Sequence, residues 1–356
     1  MEIKITKSTN PQWMHRPPDS ELVFGRHTTD HIFLMDYVEG EGWHNARIEP
    51  YGMLSLDPAA MVLHYNQEVF EGLKAYALAD GGIGLFRPDK NIERMNRSAL
   101  RMVMPEVNPD LFLTAMKELV VLDRNWLPTS EGTSLYIRPT MIATEPGVGI
   151  RPSKQYLFYI ILCSVGPYYP EGFNPTRIYV SDQHVRAIKG GVGESKTSGN
   201  YGSTLFVSQS AAEKGYTQVL WLDGRERKYI EEVGTSNVFF QFPDEVVTPP
   251  LDGTILPGIT RDSVLQMLRA WGFTVSERLI SIEEVVNGCR SGELIELFAS
   301  GTAAVISPVG EIHYKGEDFQ IADGQTGALA DRLYRDLTDI QYGRRDDAFG
   351  WRICIT

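Results

Sequence analysis

The sequence predicts an α/β protein of the α+β type, built as two domains. Its 356 residues suffice for two full hydrophobic cores. Strand-like runs are joined by a few amphipathic helical stretches in both halves of the chain. One segment, 166–176, gathers three prolines and two glycines, the composition of a linker. The expected division is therefore a small N-terminal domain at 1–165, a linker at 166–176 and a larger domain at 177–356.

Composition narrows the class. Apolar residues at 42% and charged residues at 22% describe a soluble globular protein. Lys+Arg of 34 against Asp+Glu of 46 gives a net charge of −12, which argues against nucleic acid and against an anionic membrane as partners. Cys163, Cys289 and Cys354 are scattered, with neither a disulfide framework nor metal-ligand spacing. A reducing cytoplasm is the expected location, and no metal is expected. The first residues lack the apolar core of a secretory signal. The most apolar run, 156–165, is too short to span a bilayer and reads as a buried strand.

Taken in order, residues 1–20 are polar, carry Pro11, Pro17 and Pro18, and read as an extended arm. Strands are expected at 31–38 and 45–51, with Gly40 and Gly42 between them. Asp80-Gly81-Gly82 marks a hairpin, because adjacent glycines supply the positive φ of a tight turn. Ile92, Met95, Leu100 and Met104 recur at near-helical spacing and predict an amphipathic helix over 91–103. A second helix follows at 110–122. Strands at 134–143 and 155–163 close the half, the latter central because it is apolar on both faces.

The second half opens with a strand at 177–181 and a helix over about 201–214, stopped by Gly215. Strands at 218–222 and 228–230 flank Asp223-Gly224, a hairpin signal. A strand at 236–242 and a helix at 263–271, ended by Gly272, come next. Ser281-Ile-Glu-Glu284 is a capping box opening a short helix toward Gly288. Residues 294–298 form a strand, 305–309 and 311–314 a hairpin about Gly310, and 327–340 a closing helix.

The chemistry concentrates in 186–240. Lys196 lies in a loop crowded with glycines, Tyr201 follows five residues later, and Glu232 opens Glu-Val-Gly-Thr-Ser-Asn. Residues 190–197, Gly-Gly-Val-Gly-Glu-Ser-Lys-Thr, come close to a phosphate-binding P-loop. However, Ser195 replaces the final glycine, and the preceding 183–189 is polar where a buried strand is required. The other reading is a Schiff-base lysine, whose amine must be neutral to attack a carbonyl and so needs burial or nearby positive charge. Pyridoxal phosphate would supply that carbonyl, Glu232 would keep its ring nitrogen protonated, and Tyr201 would hydrogen-bond its phenolic oxygen. The residues alone leave open a plain surface lysine. Gly258-Ile259-Thr260 before a helix suits a phosphate, as does the turn Ser300-Gly-Thr-Ala303. Both read equally as ordinary caps, and Arg94 as a solvated helix arginine.

Several motifs in this order resemble the branched-chain amino-acid aminotransferases, fold-type-IV pyridoxal phosphate enzymes. They are Phe-Glu-Gly-Leu-Lys-Ala75, Leu-Tyr-Ile-Arg-Pro139, Gly-Asn-Tyr-Gly202, Glu-Val-Gly-Thr-Ser-Asn237, Leu-Pro-Gly-Ile-Thr-Arg261 and Ser-Gly-Thr-Ala303. The resemblance runs from Phe24 to about Val309. It implies a two-domain architecture with pyridoxal 5′-phosphate at the domain interface, and a homodimer or higher homo-oligomer. It implies Lys196 as the catalytic Schiff-base residue, Glu232 at the ring nitrogen and Tyr201 at the phenolic oxygen. Arg94, Ile259, Thr260 and Thr302 fall to the phosphate. Phe24, Tyr65, Phe70, Tyr136 and Tyr168 would wall an apolar substrate pocket. Arg138 would receive the distal carboxylate of glutamate, and Thr302-Ala303 the α-carboxylate.

The implied reaction moves the amino group of L-leucine, L-isoleucine or L-valine to 2-oxoglutarate. D-amino-acid aminotransferases and aminodeoxychorismate lyases share the fold and stand as the alternatives. A regulator that binds the cofactor without turnover is disfavoured by Lys196, Tyr201 and Glu232 together. A Cys-x-x-Cys pair carried by some animal members is replaced by Ala304 and Ser307. Redox control through that pair is not expected.

Overall fold

The computed structural model describes residues 1–168 and 172–355. Residues 169–171, inside the expected linker, lie outside the described residues. The chain forms two compact units, which are not two halves of the sequence. The first comprises Met1–Tyr168, Ser195–Ser198 and Asp339–Thr356; the second comprises Tyr169–Glu194 and Gly199–Thr338. Composition cannot show that a four-residue piece around Lys196 packs with the first unit.

The first unit carries β1 (Lys4–Ile5), β2 (His27–Val38), β3 (Gly42–Pro50), β4 (Glu68–Phe70), β5 (Leu73–Ala77), β6 (Ile83–Phe86), β7 (Ser134–Ala143) and β8 (Gln155–Val165). A short strand at Arg352–Cys354 completes a sheet ordered β1-β3-β2-β8-β7-β5-β6 and then that last strand, with β4 also paired to β7. The apolar run therefore sits centrally, between β2 and β7, as its two-sided hydrophobicity requires. Helices α1 (Met61–Tyr65), α2 (Pro88–Arg101) and α3 (Pro109–Leu122) belong to the same unit. Apolar residues of α2 and α3 share one core with the sheet, through Met95, Phe112, Met116, Ile137 and Phe158.

The spacing that predicted α2 selected one wrong residue. Leu100 is 71% exposed, whereas Asn91, Arg94 and Ser98 are buried beside Ile92, Met95 and Ala99. A helix face that buries three polar side chains has something polar to meet there. His31 is buried on β2. Its Nδ1 lies 2.6 Å from Asp123, and its Nε2 accepts a hydrogen bond from the Ser8 amide at 2.8 Å. That bond ties down the N-terminal arm. Among the described residues no cluster could hold a metal ion.

The second unit carries β9 (Thr176–Ser181), β10 (Gln218–Leu222), β11 (Ile230–Val233), β12 (Asn237–Gln241), β13 (Val246–Thr248), β14 (Val275–Glu277), β15 (Glu296–Gly301), β16 (Val305–Tyr314) and β17 (Glu317–Gln320). The order is β11-β10-β9-β16-β15-β12-β13-β14, with β17 on β16. Its helices are α4 (Gly199–Gly202), α5 (Leu205–Glu213), α6 (Ile259–Ala270), α7 (Ile282–Ser291) and most of α8 (Ala328–Gln341).

Four expectations need correction. The helix over 201–214 is broken at Ser203-Thr204 into α4 and α5. The α6 helix begins at Ile259, a full turn before the predicted start, which puts Ile259 and Thr260 in its first turn. The α7 helix runs past Gly288 to a left-handed cap at Gly292. Only half of its capping box forms: Ser281 accepts from the Glu284 amide, while the Glu284 carboxylate pairs with Arg278. Finally, Gly310 is no turn. It lies inside the continuous strand β16, where the register with β9 shifts, and a Cβ there would fall 2.9 Å from Pro175. Glycine marks a bulge and a close approach there, and the real hairpin turns at Lys315-Gly316 into β17.

Candidate active site

Lys196 is fixed from both sides by backbone hydrogen bonds. Its amide donates to Ser98 Oγ on α2 at 2.9 Å, and its carbonyl accepts from the Phe70 amide at 3.1 Å. Thr197 Oγ1 donates to the Glu68 carbonyl at 2.7 Å. A glycine-bordered loop is thereby pinned between a helix and β4. The Lys196 ammonium sits 4.8 Å from the centre of the Phe70 ring. Burial, helped by the charge of Arg94, lowers its pKa from 10.5 to about 8, with Glu71 opposing. This is the condition a nucleophilic amine needs.

The Phe70-Glu71-Gly72 motif explains the rest of this cluster. Glu71, fully buried, takes a bidentate pair from Arg94 at 2.7 and 2.8 Å, and further bonds from Asn91 Nδ2 and the Gly72 amide. Burial alone would push its carboxyl up, but Arg94 holds it below the usual range. Gly72 leaves room for Tyr136, since a Cβ there would fall 1.9 Å from the phenol oxygen. Arg138 donates to Tyr136 Oη at 3.2 Å and lies 4.8 Å from the centre of the Phe70 ring. Phe24 packs edge-on against both Tyr136 and Tyr168 at about 5 Å. Phe24, Phe70, Tyr136, Arg138, Tyr168 and Lys196 are thus one connected group. Tyr65 is tied to a different loop, its hydroxyl donating to the Val148 carbonyl.

In the second unit, motifs far apart in sequence converge. Glu232 on β11 is buried, with Oε2 at 3.1 Å from Arg186 Nε. Its Oε1 accepts from the Leu256 amide at 3.0 Å and from Asn237 Nδ2 at 3.4 Å. Asn237 also donates to the Leu256 carbonyl, and a Cβ on Gly258 would fall 2.0 Å from its oxygen. Gly258 caps α6, so the first-turn amides of Ile259 and Thr260 start from this network. Thr302 and Ala303 form the turn between β15 and β16. Beside it, Ser300 Oγ is buried with no hydrogen-bond partner. Tyr201 stands half-buried on α4, its carbonyl accepting from the Thr204 amide.

Sequence reasoning missed Glu71, Gly72 and Ser98 in the first unit and Arg186 in the second. Glu71 and Gly72 stood inside a quoted motif. Arg186 stood at the head of the chemical stretch with nothing to mark it.

The chain as a whole has known relatives. Residues 68–312 match the family described as amino-transferase class IV. Branched-chain-amino-acid aminotransferase 2 of Bacillus subtilis (strain 168) is 52% identical over 351 residues, 99% of this chain and 96% of that protein. The branched-chain-amino-acid aminotransferase of Mycolicibacterium smegmatis is 45% identical over 359 residues, 99% of this chain and 97% of its own. The Escherichia coli branched-chain amino acid aminotransferase superposes with a TM-score of 0.76 at 26% identity, over 92% of this chain and 99% of that one. A further branched-chain amino acid aminotransferase, solved with pyridoxamine 5′-phosphate, gives a TM-score of 0.74 at 26% identity, over 90% and 98%. With its fold, its lysine and its motifs accounted for, the chain belongs to the class IV aminotransferases and, among them, to the branched-chain amino-acid aminotransferases.

Proposed function

We propose that the protein transfers the amino group of L-leucine, L-isoleucine or L-valine to 2-oxoglutarate, giving branched-chain 2-oxo acids and L-glutamate, with pyridoxal 5′-phosphate as cofactor. The observation that carries this is Lys196, an enclosed amine with its pKa lowered to about 8, set on an aromatic ring among arginines in a chain of this family. The residues present fit the cofactor. A buried carboxylate at Glu232, a helix N-terminus at Ile259 and a partnerless buried hydroxyl at Ser300 are the donor and acceptor types it demands.

When bound, the cofactor supplies an aldehyde that condenses with amines and a ring that accepts an electron pair. The chain supplies the rest. Lys196 Nζ would hold the cofactor covalently and, once displaced, would carry the α-proton of the amino acid to the carbon that was the cofactor's aldehyde, as general base and then acid. Glu232 would face the ring nitrogen, and Tyr201 the phenolic oxygen. Arg94, fixed by Glu71, with Ile259, Thr260 and Thr302, holds the phosphate. The aromatic wall of Phe24, Tyr65, Phe70, Tyr136 and Tyr168 accepts branched aliphatic side chains. Arg138 receives the distal carboxylate of glutamate, and Thr302-Ala303 the α-carboxylate.

Among the described residues no helix is long and apolar enough to cross a membrane. A cytoplasmic location and a homodimer or higher homo-oligomer belong to the same proposal. Fractionation and sedimentation would test them.

Absorbance of the loaded protein tests the chemistry. L-leucine should convert the cofactor band to that of the amine form in the wild type, and 2-oxoglutarate should restore it. Lys196→Ala should lose at least about 10³-fold in turnover. A response to D-alanine with none to L-leucine would keep the cofactor and overturn the substrate.

A further inference from the structure

Glu232 does not meet Arg186 alone. In the ladder between β10 and β11, Trp221 faces Glu232 and Leu222 faces Ile230, so Glu231 is the extra residue of a β-bulge. Regular strands send consecutive side chains to opposite faces. A bulge suspends that alternation. Glu231 and Glu232 are both buried, and both feel the charge of Arg186. Glu231 is only 5% exposed, and its Oε2 has no hydrogen-bond partner.

We propose that Glu231 is a positioning residue of the cofactor site, acting through Arg186 to set how much negative charge Glu232 presents to the ring nitrogen. This rests on the reading that Glu232 serves that nitrogen.

The groups that face Glu231 can be named. Arg186 attracts it, Glu232 and Asp223 repel it, and the nearby Thr254 hydroxyl favours its ionised form. Thr254 is also the junction of the cluster: its carbonyl accepts from Arg186, and its hydroxyl lies 3.3 Å from Asp252. With Glu231 protonated, Arg186 and Glu232 form a neutral pair, which offers little to a cationic ring. With Glu231 ionised, the three groups carry one net negative charge, which balances a protonated ring nitrogen. Burial lifts the Glu231 carboxyl from 4.5 to about 7, so both states are populated near neutrality. Linkage is reciprocal. A cation arriving at Glu232 must therefore drive a proton off Glu231.

Titrating the apo-protein with pyridoxal 5′-phosphate at pH 7 in buffers of different ionisation enthalpy counts the protons released on binding. The wild type should release up to about half a proton more than Glu231→Gln, a variant isosteric with the protonated acid. The variant should also bind the cofactor several-fold more weakly at pH 8 and like the wild type at pH 5.5. Thr254→Val, which keeps both carboxylates but removes a hydroxyl that favours the ionised form, should move the extra release to higher pH.

Folding is checked independently of the cofactor. A carboxyl with a raised pKa stabilises the folded apo-protein at low pH, and that contribution is lost as pH rises through about 7. The melting temperature of the wild type should therefore fall across that range more than that of Glu231→Gln. Equal proton release in the wild type and Glu231→Gln, while Glu232→Gln alters binding, would sink the proposal alone. If Glu232→Gln changes neither affinity nor proton count, the ring-nitrogen reading fails and takes this inference with it.

Discussion

Around Lys196, basic groups outnumber acidic ones. Arg94 and Arg138 both raise the local positive potential, Glu71 answering the first and Glu68 the second. Around Glu232 the balance is reversed, with Glu231 and Glu232 drawn to the single guanidinium of Arg186. Glu71, Glu231 and Glu232 are buried, and each cluster carries a surplus of the sign its chemistry needs. An amine must shed its proton to attack a carbonyl, which surplus positive charge promotes. A ring nitrogen must keep its proton, which surplus negative charge promotes. In both places one partner of opposite sign prevents the surplus from unfolding the site.

Removing that partner should hurt both regions comparably, yet with opposite dependence on pH. Glu71→Gln leaves Arg94 buried without its counter-charge, and Arg186→Leu does the same to Glu232. Each should cost about 3–5 kcal/mol in denaturant titrations. The Glu71→Gln deficit should shrink as pH rises and Lys196 loses its proton. The Arg186→Leu deficit should shrink as pH falls and the carboxylates gain theirs. Deficits that respond to pH in the same direction would mean that packing, and not charge balance, distinguishes the two regions.

A smaller change sharpens the comparison by keeping charge and altering shape. Arg138→Lys preserves the positive potential beside Lys196 but loses the planar fork that grips a carboxylate by two bonds. KM for L-glutamate should rise by about tenfold, equivalent to about 1.4 kcal/mol, while that for L-leucine stays within twofold. Equal rises for both substrates would assign Arg138 to the general architecture of the pocket.

The contrast between the regions also shows what could be read from residue order. Lys196, Phe70 and Glu232 announce themselves through motifs, because chemistry demands those residue types. The central β8 followed from its two-sided apolarity, and α2 from its periodicity. The partners that make the motifs work did not. Arg186 is 46 residues from Glu232 and meets it through a fold that no local pattern encodes. The β11 bulge breaks the alternation on which strand reading depends, so Glu231 looks like an outward neighbour of Glu232. Gly310 reads as a turn because glycine serves turns and close approaches alike, and only the proximity of Pro175 tells them apart. Leu100 was misplaced because the buried face of α2 is partly polar for the sake of the Lys196 site.

The finest test reads the Lys196 amine directly, without cofactor. In the apo-protein, the rate of its modification by a neutral-amine reagent should reach half its maximum near pH 8, against 10.5 for an ordinary lysine. Burial sets most of that difference, and burial is common to every variant that keeps the fold. The charges decide the remainder. Glu71→Gln removes the group that favours the ammonium, so its half-point should move below that of the wild type. Arg94→Gln removes a cation that opposes the ammonium, so its half-point should move above. Because Arg94 and Glu71 are a buried bidentate pair, replacing both at once should return the half-point close to the wild-type value. If neither single variant moves the half-point, the surplus of positive charge does not tune the lysine, and burial alone makes it reactive.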